Sequence, residues 1–201
     1  MKFVIFDIGN VIAHVNFSVF VSSLCDNKIV KSCEEGYKLL EQIQPYQDLG
    51  LTNVKRELSR FNLDKKIESN ILLHWMETVS FNQKSLNLIN DLIIEKYNIA
   101  LLSNIGPEHA SIIRNNDLLK KLNHHFSFEI GARKPSKIYY QSFLMDNPLY
   151  KGCAFIDDRY ENLEMAEKCG FKSYHFDLDK LTDEESMKNA FYDLNSFIRN
   201  V

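Results

Sequence analysis

Four short stretches carry side chains that could act together on a charged ligand: Asp7, Ser103-Asn104, Lys134 and Asp157-Asp158. Three carboxylates gathered at one place cannot all stay ionised without a counter-charge. Lys134 supplies one positive charge, and a divalent cation would supply two more. An all-oxygen ligand set with no adjacent His or Cys favours magnesium, Mg2+, over zinc. A lysine and a magnesium ion beside a free carboxylate suit a phosphate group, because the two cations screen its charge and let a carboxylate approach as nucleophile. Each stretch alone is ordinary: Ser-Asn after a strand is often a turn, and Asp-Asp is often a helix N-cap. Their order along the chain carries the weight.

The elements that must position them follow from apolar runs. Lys2 to Ile8 is short and apolar on both faces, as a buried strand of a parallel sheet is. Similar runs cover Asn98–Leu102, Phe126–Ile130 and Cys153–Ile156, and a weaker, alternating one covers Lys172–Phe176. The polar residues sit at the C-terminal ends of these strands, the edge where parallel α/β sheets bind ligands. Helical spacing lies between them. Leu86, Ile89 and Ile93 share a face after the N-cap candidate Asn82. Ile138–Met145 reads as a helix, and Tyr160–Cys169 as another stopped by Gly170. Thr182 reads as an N-cap followed by acids in the first turn. Strands alternating with helices predict an α/β fold with a parallel sheet.

Residues 16–81 break that rhythm, with helical patterns and no convincing strand. Val54, Leu58 and Phe61 share a face after the N-cap candidate Thr52, and Ile67, Ile71 and Trp75 recur at four-residue spacing. These stripes read as the core of an inserted helical unit. The expected division is an α/β core from residues 1–15 and 82–201, with a helical cap from 16–81.

A chain of 201 residues suits one such domain with a modest insertion. With 24 Lys+Arg against 27 Asp+Glu the net charge is −3, which argues against a general nucleic-acid binder. Cys25, Cys33, Cys153 and Cys169 form no Cys-x-x-Cys pair and read as reduced thiols. The run Phe3–Phe6 is too short for a signal peptide or a membrane span, so no membrane partner and a cytoplasmic location are expected.

The order Phe-Asp-Ile-Gly-Asn-Val-Ile (6–12), Leu-Leu-Ser-Asn (101–104), Gly-Ala-Arg-Lys-Pro (131–135) and Phe-Ile-Asp-Asp-Arg-Tyr-Glu-Asn (155–162) resembles the four motifs of the haloacid dehalogenase (HAD) superfamily. The resemblance spans the first strand to about Phe176, and the helical insertion resembles that superfamily's C1 cap. Within it, the first and third motifs look most like the sugar-phosphatase branch that includes α-D-glucose-1-phosphate phosphatase. The resemblance implies a three-layer Rossmann-like fold and a Mg2+-dependent phosphatase of small phosphorylated metabolites, sugar phosphates among them.

It also implies roles. Asp7 is the nucleophile that forms an aspartyl-phosphate. Ser103 holds a phosphoryl oxygen with help from the Asn104 backbone, and Lys134 pairs with nucleophile and phosphate. Asp7, the Gly9 carbonyl and Asp158 hold the metal, with Asp157 in support. One departure matters: the usual acid/base Asp two residues after the nucleophile is Gly9 here, which has no proton to give. Gly9 therefore predicts a preference for good leaving groups, and it raises His14 as a substitute base. The rival readings are a non-catalytic phosphate-binding protein, favoured by Gly9, and a metal-free haloacid dehalogenase, disfavoured by Asp157-Asp158. Arg133, Arg159 and Glu108 flank the motifs as substrate contacts or surface ion pairs.

Overall fold

The computed structural model describes all residues from 1 to 201. In chain order its elements are β1 (Lys2–Phe6), β2 (Ala13–Val15), α1 (Ser18–Asp26), α2 (Cys33–Asp48), α3 (Val54–Leu58), α4 (Lys65–Met76), β3 (Val79–Phe81) and α5 (Gln83–Ile94). They continue as β4 (Tyr97–Ser103), α6 (Pro107–Asn115), β5 (Asn123–Phe126), α7 (Ser127–Ile130), α8 (Lys137–Asp146), β6 (Ala154–Asp157), α9 (Tyr160–Lys168), β7 (Lys172–His175) and α10 (Glu184–Asn200).

Five strands pair in the order β5-β4-β1-β6-β7, all parallel. Successive residues of a strand point to opposite faces, and the core divides accordingly. Val4, Phe6, Ile99, Leu101 and Ile156 pack with Ile89 and Leu92 of α5 and Leu194 and Ile198 of α10. Ile5, Ala100, Leu102 and Phe155 pack on the other face with Tyr139, Tyr140 and Phe143 of α8 and Leu163 of α9. The result is the three-layer, Rossmann-like α/β fold. Because β1 pairs with β4 on one side and β6 on the other, the strand order reverses at β1. The C-terminal ends of these three strands therefore open onto one crevice.

Two local expectations are corrected. The apolar run Phe126–Ile130 is not a strand: β5 ends at Phe126, and Ser127–Ile130 forms a helical turn closed by Gly131 at φ +69°. A short apolar run cannot tell buried strand from buried helix. The real strand, Asn-His-His-Phe, hides its character because it is an edge strand whose imidazoles meet the carbonyls of Leu119 and Tyr139. Within 16–81 there is also one strand, β3, paired antiparallel with β2 (Ala13 opposite Phe81, Val15 opposite Val79). Three residues are too few for a period-2 signal.

The caps differ slightly from expectation. Asn82 accepts from the Lys84 and Ser85 amides as predicted, and the Tyr160 helix yields to Gly170 at φ +95°. The last helix is capped by Asp183 in a capping box with Ser186, one residue later than Thr182. Asn53, not Thr52, caps α3, and the Thr52 hydroxyl donates to Glu57 instead.

The helices α1–α4 have their own apolar cluster, built on Phe20, Val21, Leu24, Leu40, Val54, Leu58, Ile71 and Trp75. Phe61 and Ile67, expected in the same stripes, stay exposed. The unit is fastened to the core at Gly50. That residue holds φ +71°, and a Cβ there would lie 2.3 Å from the Phe128 carbonyl oxygen of α7, so no side chain fits. All four cysteines are free. No helix is long and apolar enough to cross a membrane.

Candidate active site

Lys134 organises the crevice. It is almost fully buried, and its Nζ donates to Asp157 at 2.6 Å, Asp7 at 2.9 Å and the Leu102 carbonyl at 2.9 Å. All three ammonium hydrogens are thus used. Its backbone is fixed to the end of β4 by Asn104, whose side chain accepts from the Lys134 amide and donates to the Lys134 carbonyl, both at 2.8 Å. The Asn104 side chain therefore locks the lysine segment in place.

Asp7 follows β1 directly, and its Oδ1 accepts from the Ile8 amide at 2.7 Å. The two later aspartates divide. Asp157 is completely buried beneath the crevice, where Oδ1 accepts from the Asn162 side chain and the Arg159 amide, both at 2.9 Å. Asp158 lines the open cavity and accepts from Asn10 at 3.3 Å. Asn10 adopts φ +52°, a left-handed conformation that Asn tolerates better than most residues.

Carboxylate oxygens of Asp7, Asp157 and Asp158 lie within 4.8 Å of one another. Burial pushes the Asp7 carboxyl well above its ordinary value; Lys134 opposes this, while Asp157 and Asp158 reinforce it. Asp158 is pushed up to about 6 by burial and by Asp157. Burial also pulls the Lys134 ammonium down, but Asp157 and Asp7 outweigh it and hold it above its ordinary value. One lysine thus leaves the carboxylates short of positive charge. The clustered carboxylate oxygens of Asp7, Asp157 and Asp158 are an all-oxygen set of the kind that suits a hard divalent cation such as Mg2+.

The cavity over these groups is open to solvent, and the empty space within it and at its mouth comes to about 1200 Å³. Its floor includes Asp7, Gly9, Ser103, Asn104, Lys134 and Asp158, so of the nucleophile, phosphate and metal residues expected from the motifs only Asp157 does not line it and supports it from below. Its roof comes from the inserted helices: Phe17 ahead of α1, and Glu41, Gln44, Pro45 and Asp48 of α2. Arg133 reaches up from beside Lys134 and bonds Asp48 at 2.8 Å. Arg159 pairs with Glu161, and a Glu108 oxygen lies 3.5 Å from the Lys55 amide. His14 does not line the cavity; it contacts Asp179 at 3.1 Å and Asn82 at 3.3 Å, which removes it as a base.

Asp48 and His109 line the cavity without belonging to any motif in the sequence. His109, on α6, stacks on Trp75 at 4.3 Å and donates from Nε2 to the Trp75 carbonyl at 3.0 Å. Trp75 thereby ties the helical unit to the core. Burial pulls His109 down to about 4, so it is neutral near pH 7. The unfolded chain then binds more protons than the folded one between pH 4 and 6.5, and the stability contributed above pH 6.5 is lost as pH falls. Relative to His109→Gln, the wild type should lose about 3 kcal/mol of urea-measured stability between pH 7 and pH 4. A difference that stays flat over that range would contradict the assignment of a neutral, buried imidazole.

No protein-family model matches the sequence, and no curated protein does. Solved structures do share its fold. A HAD family enzyme from Bacteroides thetaiotaomicron superposes with a TM-score of 0.73 at 20% identity, covering 94% of this chain and 98% of that one. A wild-type form of that enzyme, solved in complex with magnesium and inorganic phosphate, gives 0.70 at 22% identity over 87% of this chain and 93% of that one. A predicted HAD-like family hydrolase from Porphyromonas gingivalis gives 0.72 at 20% identity over 94% and 97%. An L-2-haloacid dehalogenase also matches, with a TM-score of 0.60 at 16% identity over 87% and 84%. These likenesses establish a HAD-type fold.

Proposed function

We propose that this chain is a Mg2+-dependent phosphatase of small phosphorylated metabolites, working through an aspartyl-phosphate on Asp7. The observation that carries the reading is the Lys134 bridge between Asp7 and Asp157, with Asp158 beside it in the same crevice. The fold's neighbour with bound magnesium and phosphate supports it.

In this reading Asp7, the Gly9 carbonyl and Asp158 hold the magnesium ion, which would offset charge on the phosphoryl oxygens. Asp157 holds Lys134, and Lys134 holds the Asp7 carboxylate ionised and aimed. Ser103 donates to a phosphoryl oxygen. Asp7 attacks phosphorus, the leaving oxygen departs, and water then cleaves the acyl phosphate. The helices of residues 16–81 act as a cap: their roof over the crevice limits the substrate to a small molecule and keeps bulk water from the intermediate. Polar lining by Glu41, Gln44, Asp48 and Arg133 suits a hydroxyl-rich leaving group such as a sugar.

The test is a phosphomonoester panel with Mg2+, including sugar 1-phosphates and simple alkyl phosphates. Turnover of at least one member should be lost on adding EDTA and regained with excess Mg2+. The dehalogenase reading, which Gly9 and the matched dehalogenase favour, predicts instead EDTA-insensitive halide release from 2-haloacids.

A further inference from the structure

Phosphoryl transfer to Asp7 leaves a departing oxygen that needs a proton, and hydrolysis of the acyl phosphate needs a base for water. The crevice floor has no free group for either task. Asp7 is the nucleophile, Asp157 is spent on Lys134, Asn162 and the Arg159 amide, and Asp158 faces the cation site. Every Nζ hydrogen of Lys134 is used. His109 gives its Nε2 hydrogen to the Trp75 carbonyl, and burial pulls the imidazole down to about 4, which leaves its Nδ1 too weak a base for the water. Position 9 is glycine. Two carboxyls remain, both on α2. Glu41 is exposed, whereas Asp48 is 7% exposed, lines the cavity with Asp7 and is held by Arg133 at 2.8 Å.

Resting on the phosphatase reading, we propose that Asp48, carried by the helical insertion, is the acid and base of this site. As the Asp7–phosphorus bond forms and the bond to the leaving oxygen breaks, the Asp48 carboxyl gives its proton to that oxygen. The Asp48 carboxylate then takes a proton from the water that attacks phosphorus. The Asp7–phosphorus bond breaks, which returns Asp7 as a carboxylate and Asp48 as an acid.

The surroundings suit both halves of that cycle. Burial pushes the Asp48 carboxyl up to about 6, with Arg133 opposing, Asp7 adding and Lys134 opposing. An acid near neutrality can both give and recover a proton. Asp48 ends α2, and Gly50 seats the next turn against the Phe128 carbonyl, so its position over the crevice is fixed by backbone packing. Gly9 alone predicts a preference for good leaving groups; an acid at Asp48 lifts that restriction. The proton donor would also reach the reaction only while α2 covers the crevice.

The test is a leaving-group series in the presence of Mg2+. Asp48→Asn should lower kcat/KM on alkyl phosphates by about a hundredfold or more, and on p-nitrophenyl phosphate by less than about tenfold. With p-nitrophenyl phosphate it should release one equivalent of nitrophenol rapidly and then stall, because the second step has lost its base. Asp48→Glu should keep part of the alkyl phosphatase activity. Gly9→Asp in the Asp48→Asn background should restore some of it. A Cβ at position 9 meets only Val15 Cγ2 at 3.5 Å, an ordinary contact, so a side chain can start there without displacing the backbone. Equal losses on both substrate classes, or no burst, would show that Asp48 only packs against Arg133 and would overturn the proposal. If wild-type protein hydrolyses no phosphomonoester, the phosphatase reading fails first and this inference falls with it. Wild-type turnover without the leaving-group effect sinks the inference alone.

Discussion

Asp7→Asn is expected to lower phosphomonoester turnover at least about a thousandfold, since loss of a nucleophile leaves only binding and electrostatics. The substitution keeps side-chain size and removes one carboxylate from a cluster of three. Folded Asp7 holds its proton more tightly than unfolded Asp7 does, so its ionised form works against folding above the ordinary aspartate value. Lys134 keeps Asp157 and the Leu102 carbonyl as partners after the change. Metal-free Asp7→Asn should therefore be at least as stable as wild type at pH 8 by urea denaturation. Lost activity in a variant of undiminished stability places the defect in chemistry. A variant that keeps a tenth or more of wild-type turnover would exclude Asp7 as nucleophile.

The second large effect belongs to Lys134→Met. Removing a buried ammonium leaves the Asp7 and Asp157 carboxylates facing each other without a cation. Breaking a buried ion pair from one side costs about 3–5 kcal/mol. The cost should shrink as pH falls, because protonating the orphaned carboxyls removes the buried charge. Urea denaturation at pH 8 and pH 5 in metal-free buffer should show a larger loss at pH 8, and turnover should be lost at both. A penalty below about 1 kcal/mol at pH 8, or one independent of pH, would mean that the three-way bridge does not organise the site.

Much of this arrangement is legible in the sequence, because strand ends in a parallel sheet are marked by abrupt polar residues after apolar runs. Asp7, Ser103 and Asp158 sit at such breaks, and the structure brings them to one crevice with Lys134, which follows the helical turn α7 and not a strand end. Asp157 and Asp158 look interchangeable as adjacent letters. They separate only in three dimensions, where the alternation of a strand end sends one side chain under the sheet edge and the other into the cavity. Edge strand β5 was hidden by its polar sequence, and the paired strands β2 and β3 by their brevity. Asp48 and His109 left no trace. They belong to elements that approach the crevice from outside the sheet, and nothing in their neighbouring residues records that approach. Tertiary packing supplies it, through Gly50 against Phe128 and Trp75 against His109.

The central claim is a phosphorylated Asp7, and acid-quenched mass spectrometry tests it most directly. Wild-type protein mixed with Mg2+ and its best phosphomonoester, then quenched within one turnover, should carry one phosphoryl group on the peptide containing Asp7. Asp7→Asn treated in the same way should carry none. Full turnover by wild-type protein with no adduct at any quench time, or an adduct on another residue, would contradict the account.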